Sequence, residues 1–203
     1  MKMFKFFGII VALAVIGFSL ASCATGGGTH TPERQFRWER YGDGKITAYT
    51  GRGGVVLIPP QIQGMPVVGI GVFAFAVTET RTLPDGRSIE VPVDGGRRVT
   101  GVSIPGSVTF IGFGAFAHNQ LTSVNIPGSV TSIGADAFGS NQLTSVIIPD
   151  SVISIGGAAF QNNRLIHVTI SNNLTEIERS LFFSGMLSGN QLSNVIIPVL
   201  RPR

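Results

Sequence analysis

A repeat of 22 residues is the feature that most constrains how this chain can fold. Residues 99–120 read VTGVSIPGSVTFIGFGAFAHNQ, residues 121–142 read LTSVNIPGSVTSIGADAFGSNQ, and residues 143–164 read LTSVIIPDSVISIGGAAFQNNR. A further copy begins at Leu165 and gains five residues before the pattern resumes at Leu192, and a looser copy spans residues 55–76. Self-similarity at a fixed period predicts coils that stack into a solenoid.

The pattern within one copy predicts a short strand followed by turns. Leu121, Val124 and Ile126 are apolar and the residues between them are mostly polar, which favours a strand with one buried face. We expect Gly134 to permit a tight bend. We expect the amide of Asn141 to bond backbone groups where the coil ends.

The length of the copy limits what else it can contain. Twenty-two residues cannot hold a strand and a full crossover helix, so we expect a parallel sheet on one side and short turns or one-turn helices on the other. The fold class predicted is a solenoid of short parallel strands, with about five 22-residue coils and a final strand. One phenylalanine per coil is expected to form a continuous buried stack: Phe116, Phe138, Phe160 and Phe182.

The first 22 residues have the layout of a secretory signal peptide. Lys2 and Lys5 precede an uncharged apolar run from Phe6 to Leu20, which is shorter than a membrane-spanning helix requires. A buried core helix is the alternative, although the run has no amphipathic period.

The residues Leu20-Ala21-Ser22-Cys23 resemble the lipobox of bacterial lipoproteins. The resemblance implies that the thiol of Cys23 carries diacylglycerol and that the leader is removed before it; an incidental free cysteine is the alternative. Residues 23–35 would then be a lipidated cysteine with a flexible tether, residues 36–54 an N-terminal cap, and residues 55–200 the solenoid.

The repeat, L-T-S-V-x-I-P-x-S-V-T-x-I-G-x-x-A-F, resembles the BspA-like leucine-rich repeats of bacterial surface proteins, the Treponema pallidum type. The resemblance covers residues 55–76 and 99–200, and residues 45–75 are similar to the usual opening of that family. It implies a leucine-rich-repeat solenoid on an exported protein, with adhesion to host matrix or to other bacteria as a family role. The family has no fixed ligand motif, so the resemblance assigns no site residue.

An insertion at residues 77–98 interrupts the repeat. Pro84-Asp85-Gly86-Arg87 is a turn signal between two short alternating runs, which predicts a protruding hairpin. Its candidate binding residues are charged, and a solvated decoration or a degenerate coil is the alternative: Arg81, Asp85, Arg87, Arg97 and Arg98.

The outward strand positions form a second candidate surface, because repeat proteins bind ligands on such extended faces. The alternative is that they are only the solvated side of a sheet. The candidate binding residues are Ser103, Asn125, Ile147 and Thr169.

Other functional classes fit the sequence poorly. Cys23 is the only cysteine, which excludes a disulfide scaffold, and His30, His118 and His167 lack a second ligand at metal spacing. The leader lysines supply two of the four net positive charges, and no basic stripe typical of nucleic-acid binders follows. We therefore expect no catalytic site, no metal, no cofactor and no nucleic-acid partner.

These observations predict an envelope lipoprotein, lipid-anchored to the outer membrane or cell surface. Its expected partner is a protein or glycan on a host or bacterial surface. The alternative is a structural or antigenic lipoprotein without a specific ligand.

Overall fold

Each 22-residue copy forms one coil, and successive coils stack through parallel strand pairing, which confirms the predicted solenoid. The computed structural model describes residues 30–39, 44–76, 78–92, 98–170, 173–174, 185 and 187–196. A 3₁₀ turn, Glu33–Gln35, precedes the first strand. The strands are, in chain order, β1 (Phe36–Glu39), β2 (Lys45–Tyr49), β3 (Gly54–Leu57), β4 (Gln61–Ile62), β5 (Met65–Pro66), β6 (Gly69–Ile70), β7 (Thr78–Thr82), β8 (Ser88–Pro92), β9 (Val99–Ser103), β10 (Phe110–Ile111), β11 (Ser132–Ile133), β12 (Ser145–Ile147), β13 (Ser154–Ile155), β14 (His167–Thr169) and β15 (Asn194–Ile196).

The strands form two faces. The front sheet contains the strands that open the coils, in two segments, β3-β9 and β12-β14-β15. The back sheet runs in the order β1-β2-β6-β10-β11-β13. The short turns expected on the second side are present, at residues 113–118, 135–138 and 157–160, but the strands that precede them were not expected. The back strands within the coils hold only two residues each, too few to show an alternating pattern in the sequence.

The front sheet has a gap at the coil that begins with Leu121. Residues 121–126 are described but belong to no strand, so Asn125 does not occupy the strand position predicted for it. Asparagine is depleted in strands, and the neighbouring coils have Ser103 or Ile147 at the same position.

Buried asparagines close the coils, as predicted for Asn141. Its Oδ1 accepts the N–H of Leu121 at 3.0 Å, at the start of its own coil. Its Nδ2 donates to the carbonyls of Phe138 and Gly139, and also to that of Phe116 in the preceding coil at 2.9 Å. One side chain thus closes a coil and ties it to its neighbour. Three more coils repeat this arrangement, with the buried Asn119 and Asn163 and the half-buried Asn190, whereas the coil at residues 55–76 has no asparagine.

Phenylalanine rings fill the centre of the solenoid in a continuous stack. The ring centroids of Phe116, Phe138 and Phe160 lie 5.3 Å apart, with interplanar angles of 9° and 8°. Phe75, in the looser first coil, continues the stack at 4.7 Å from Phe116. The predicted column is thus confirmed for Phe116, Phe138 and Phe160. Phe182 lies outside the described residues.

Leu187 takes the corresponding place in the last coil. Its carbonyl accepts from Asn190 Nδ2 at 3.0 Å, as that of Phe160 does from Asn163, and its side chain is buried. The five extra residues therefore enter the coil before Leu187.

An antiparallel hairpin of β1 and β2 covers the N-terminal end of the core. Strand β2 pairs in parallel with β6, with Ile46 opposite Ile70. Tyr49 stacks on Phe75 at 5.3 Å, and Phe36 contacts Tyr49 at 5.6 Å, so the aromatic column extends into the hairpin.

The glycine after each back strand is required by the approach of the preceding coil. A Cβ on Gly134 would lie 2.6 Å from the carbonyl carbon of Gly112 and 2.6 Å from the nitrogen of Phe113. The tight turn expected at Gly134 is present, since the N–H of Ala137 donates to the carbonyl of Gly134 at 3.3 Å. Gly134 has no left-handed φ, so its lack of a side chain is required by the close approach of the coils and not by the turn itself. The backbones of adjacent coils pass too closely here for any side chain.

We predict that Gly134→Ala destabilises the fold by about 1–3 kcal/mol, because the added methyl forces adjacent coils apart. Thermal unfolding should show a midpoint lower by about 2–4 °C for each kcal/mol lost. Gly128→Ala is the matched control, since a Cβ there meets nothing within 4 Å. Equal midpoints for the two variants would contradict the close-packing explanation.

Candidate binding surface

The outward side chains of the front sheet form two columns. The register places Ser145, His167 and Asn194 side by side in one column. It places Ile147, Thr169 and Ile196 in the other. The central residues of these strands, Val146 and Val168, are buried, so both columns lie on the face turned away from the core.

Large apolar side chains are exposed on this face. Ile147 is 68% exposed and Ile196 is 52% exposed. At the other end of the sheet, β3 adds Val55, which is 69% exposed, and Leu57. Their partners in register are Gly101 and Ser103, so the columns begin one coil earlier than the sequence predicted. The match of Ile58-Pro59 to Ile104-Pro105 is the sequence signal that could have assigned Val55 and Leu57 to the two outward columns.

Polar side chains separate the aliphatic ones on the front face. Ser103 and Asn125 are exposed and Thr169 is half-buried. Thr169 lies between Ile147 and Ile196, so aliphatic groups alternate with hydroxyl or amide groups along the face, a mixture suited to a macromolecular ligand. We define the front face as the outward residues Val55, Leu57, Gly101, Ser103, Ser145, Ile147, His167, Thr169, Asn194 and Ile196.

A shallow cleft of about 320 Å³ adjoins the front face at Val55. Gln35, Tyr49 and Arg52 contribute to its walls, and the hydroxyl of Tyr49 donates to Gln35 Oε1 at 3.3 Å. Thr31 borders the cleft and donates its N–H to the carbonyl of Leu57 at 2.9 Å. The chain therefore reaches the solenoid at the outer edge of β3.

The insertion forms an antiparallel hairpin, with Thr78 opposite Pro92 and Thr82 opposite Ser88. Its described arginines pair with acids on the same strand or turn: Arg81 Nε lies 2.6 Å from Glu79 Oε1, and Arg87 Nε lies 2.7 Å from Asp85 Oδ2. The N–H of Arg87 also donates to Asp85 Oδ1.

Contacts within the protein also hold Asp85 and the backbone of Arg98 in the insertion. The N–H and guanidinium of Arg87 hold the pKa of Asp85 below its ordinary value, so that carboxylate stays ionised. Arg98 lies half-buried at the base, where its carbonyl accepts from the N–H of Gly54, and Arg97 lies outside the described residues. The described hairpin charges largely compensate one another.

Asp136 occupies a strained position on the turn after the back sheet. Its φ is 56°, in the left-handed region, and its carboxylate accepts from Gln161 Nε2 at 3.3 Å. Burial raises the pKa of Asp136, while the hydrogen bond from Gln161 and the charge of His118 oppose that rise.

The histidines do not converge on a site. His118 has a left-handed φ of 56° on a turn, whereas His167 lies on β14 in the front sheet. No group of three or more metal-ligating side chains occurs among the described residues.

The comparison with protein families decides what kind of repeat this is. The family model of the BspA type leucine rich repeat region matches residues 95–199 in six copies. The chain belongs to this family. The assignment confirms the resemblance of the repeat, and the structure adds residues 55–76 as a coil that the family match does not include.

A solved structure shares the fold, and a second one is similar over part of its length. A leucine-rich repeat protein from T. pallidum matches with 22% identity and a TM-score of 0.50, over 82% of this chain and 85% of that one. A leucine-rich repeat protein from Bacteroides ovatus matches with 20% identity and a TM-score of 0.44, over 81% of this chain and 52% of that one. No curated protein matches the chain. Within the described residues, no helix has the length and apolar character needed to cross a membrane.

We predict that Asp136→Asn raises the thermal midpoint at pH 7. Because the folded-state pKa is raised, ionised Asp136 destabilises the fold at neutral pH, and this penalty disappears as pH falls through that pKa. Asparagine keeps the acceptor for Gln161 and tolerates the left-handed conformation.

The gain from Asp136→Asn, on the order of 1–2 °C, should therefore shrink towards pH 4. Thermal unfolding at both pH values measures it, with Asp85→Asn as the control in which the acid has a lowered pKa. A gain for Asp136→Asn that grows as the pH falls would refute this assignment.

Proposed function

We propose that this protein is a cell-envelope lipoprotein whose front face binds a protein or glycan on a host or bacterial surface. The observation that carries the proposal is the pair of outward columns, where Val55 and Ile147 expose more than two thirds of their side chains. Repeat proteins commonly use such extended faces for macromolecular ligands. Exposed aliphatic groups flanked by polar ones supply the contacts that such ligands need.

Membership of the BspA type of leucine-rich repeat proteins supports a role in interaction and favours a non-catalytic function. The lipid anchor at Cys23 is supported by the sequence at residues 20–23, at the end of an apolar run. Outer-membrane or cell-surface display would place the front face where a partner can reach it.

The front face is favoured over the hairpin because of its chemistry. Arg81 and Arg87 pair with acids beside them, so a ligand would have to break exposed ion pairs to use either charge. Ile147, in contrast, gains from any contact that removes it from water.

We predict that Ile147→Ser weakens binding about 10- to 150-fold, because burial of an isoleucine side chain contributes roughly 1.5–3 kcal/mol. The chain from residue 24 onwards would be tested for saturable binding to immobilised host matrix proteins and to whole bacterial cells. Ile153→Ser is the matched control, since Ile153 is 58% exposed but precedes a back strand.

A third variant replaces residues 78–97 with a short Gly-Ser turn. Binding that survives this change but falls with Ile147→Ser supports the front face, whereas loss with the hairpin would move recognition there. The absence of saturable binding by the unaltered protein would leave a structural or antigenic lipoprotein as the better account for those ligands.

A further inference from the structure

An aromatic patch lies on the outside of the first two coils, away from the front face. We define it as Val72, Phe73, Phe110 and Phe113. Val72 is 59% exposed and Phe113 is 45% exposed, and the rings of Phe73 and Phe113 meet edge to face at 5.0 Å. The ring of Phe110 covers Gly69 on the outer side of the back sheet.

The patch is confined to the N-terminal end of the solenoid. The positions of Phe110 and Phe113 become Ser132 and Ala135 in the next coil. In the coil after that they become Ser154 and Gly157. The same surface therefore changes from aromatic to small or polar with distance from the N-terminus.

Phe73 maintains this surface at a conformational cost. Its φ is 51°, in the left-handed region, as are the φ angles of the equivalent residues in the later coils, Gly114, Asp136 and Ala158. The conformation is therefore set by the repeat, but a bulky residue in it is uncommon. The conformation lays the ring of Phe73 over Gly114, beside Phe113.

Cationic side chains occupy the same end of the molecule. Arg34 and Arg37 are exposed, and neither forms an ion pair with another described residue. Lys45 pairs with Glu39 at 2.9 Å, and its aliphatic stem runs beside Gly71, directly before the patch. Aromatic and cationic side chains together suit binding to a lipid bilayer, whose interior is apolar and whose surface is negatively charged.

The described part of the chain also begins at this end. Thr31 is bonded to Leu57 at the edge of β3, and it follows Cys23 by eight residues. Eight residues span at most about 28 Å when fully extended. A lipid on Cys23 would therefore hold the N-terminal coils close to the bilayer, while the C-terminal coils extend further from it.

We propose that the aromatic patch and the N-terminal arginines rest on the anionic phospholipid surface in which the chain is anchored. The proposal rests on the lipid anchor of the proposed function. The patch enters the interfacial region and the arginines contact lipid phosphates. This contact fixes the orientation of the solenoid relative to the membrane, so that the front face points along the membrane surface. A solenoid held only by a flexible tether would rotate freely.

The test uses the mature lipidated protein, purified from a bacterial host that processes lipoproteins and reconstituted into phosphatidylglycerol vesicles. Trp38 is the only tryptophan, so Trp38→Phe gives a background without tryptophan fluorescence. Phe113→Trp in that background reports on the patch, and Ile147→Trp is the matched control on the front face. Lipids brominated in their acyl chains quench a tryptophan that enters the bilayer.

We expect quenching and a blue shift of emission for the Phe113→Trp protein, and neither for the Ile147→Trp protein. Quenching should weaken in phosphatidylcholine vesicles and at high salt, because the arginine contacts are electrostatic. Equal emission from the two variants, or no quenching at position 113, would overturn the proposal. Mass spectrometry shows whether Cys23 is acylated. An unacylated Cys23 would overturn both the proposed lipid anchor and the membrane contact, whereas an acylated Cys23 without quenching would overturn the membrane contact alone.

Discussion

The hydrogen bonds of the asparagine that closes each coil from residue 99 onwards are the interaction on which the rest of this structure depends. The Oδ1 of Asn141 binds the N–H that opens its coil, and its Nδ2 reaches a carbonyl of the coil before. Each of these backbone groups is remote from water, so losing its partner would cost about 1–3 kcal/mol. The length of the coil follows, because the asparagine must return to the N–H that lies 20 residues earlier.

The last coil shows that this bond matters more than the residue count. Five extra residues separate Leu165 from its asparagine, yet Asn190 Oδ1 accepts the N–H of Leu165 at 2.9 Å. Asn190 Nδ2 also donates to Phe160, as the earlier asparagines do to their neighbours. The coil depends on the asparagine hydrogen bonds, the phenylalanine stack and the close contact at the glycine. The residue type at other positions is free to vary. The front face and the aromatic patch are both built from those free positions.

The sequence predicted the elements that repeat and missed those that depend on register. The period, the phenylalanine column and the bonding of Asn141 follow from residue spacing, and the structure confirms them. The back sheet was missed because two-residue strands leave no alternating pattern. The turn at Gly134 was predicted, but the contact with the preceding coil was missed because a sequence does not show how closely the coils approach. Tyr49 was missed as a member of the aromatic column, since it lies outside the repeat.

The candidate site was predicted in outline only. The outward columns follow from strand alternation, but the gap at Asn125 and the extension to Val55 are set by pairing between distant residues. The ion pairs that compensate the hairpin charges depend on side-chain geometry that spacing does not reveal. The aromatic patch stands out only when equivalent positions of successive coils are compared on the folded surface.

The most direct test of this account is hydrogen exchange at the backbone amides that bind the asparagines. The N–H groups of Leu121 and Leu143 donate to Asn141 and Asn163, each at 3.0 Å. Exchange measured by NMR on the intact protein should place both among the most slowly exchanging amides, because they open only when the coils separate. Exchange at Leu121 and Leu143 as fast as at the exposed Ser123 would contradict the claim that these bonds hold the solenoid together.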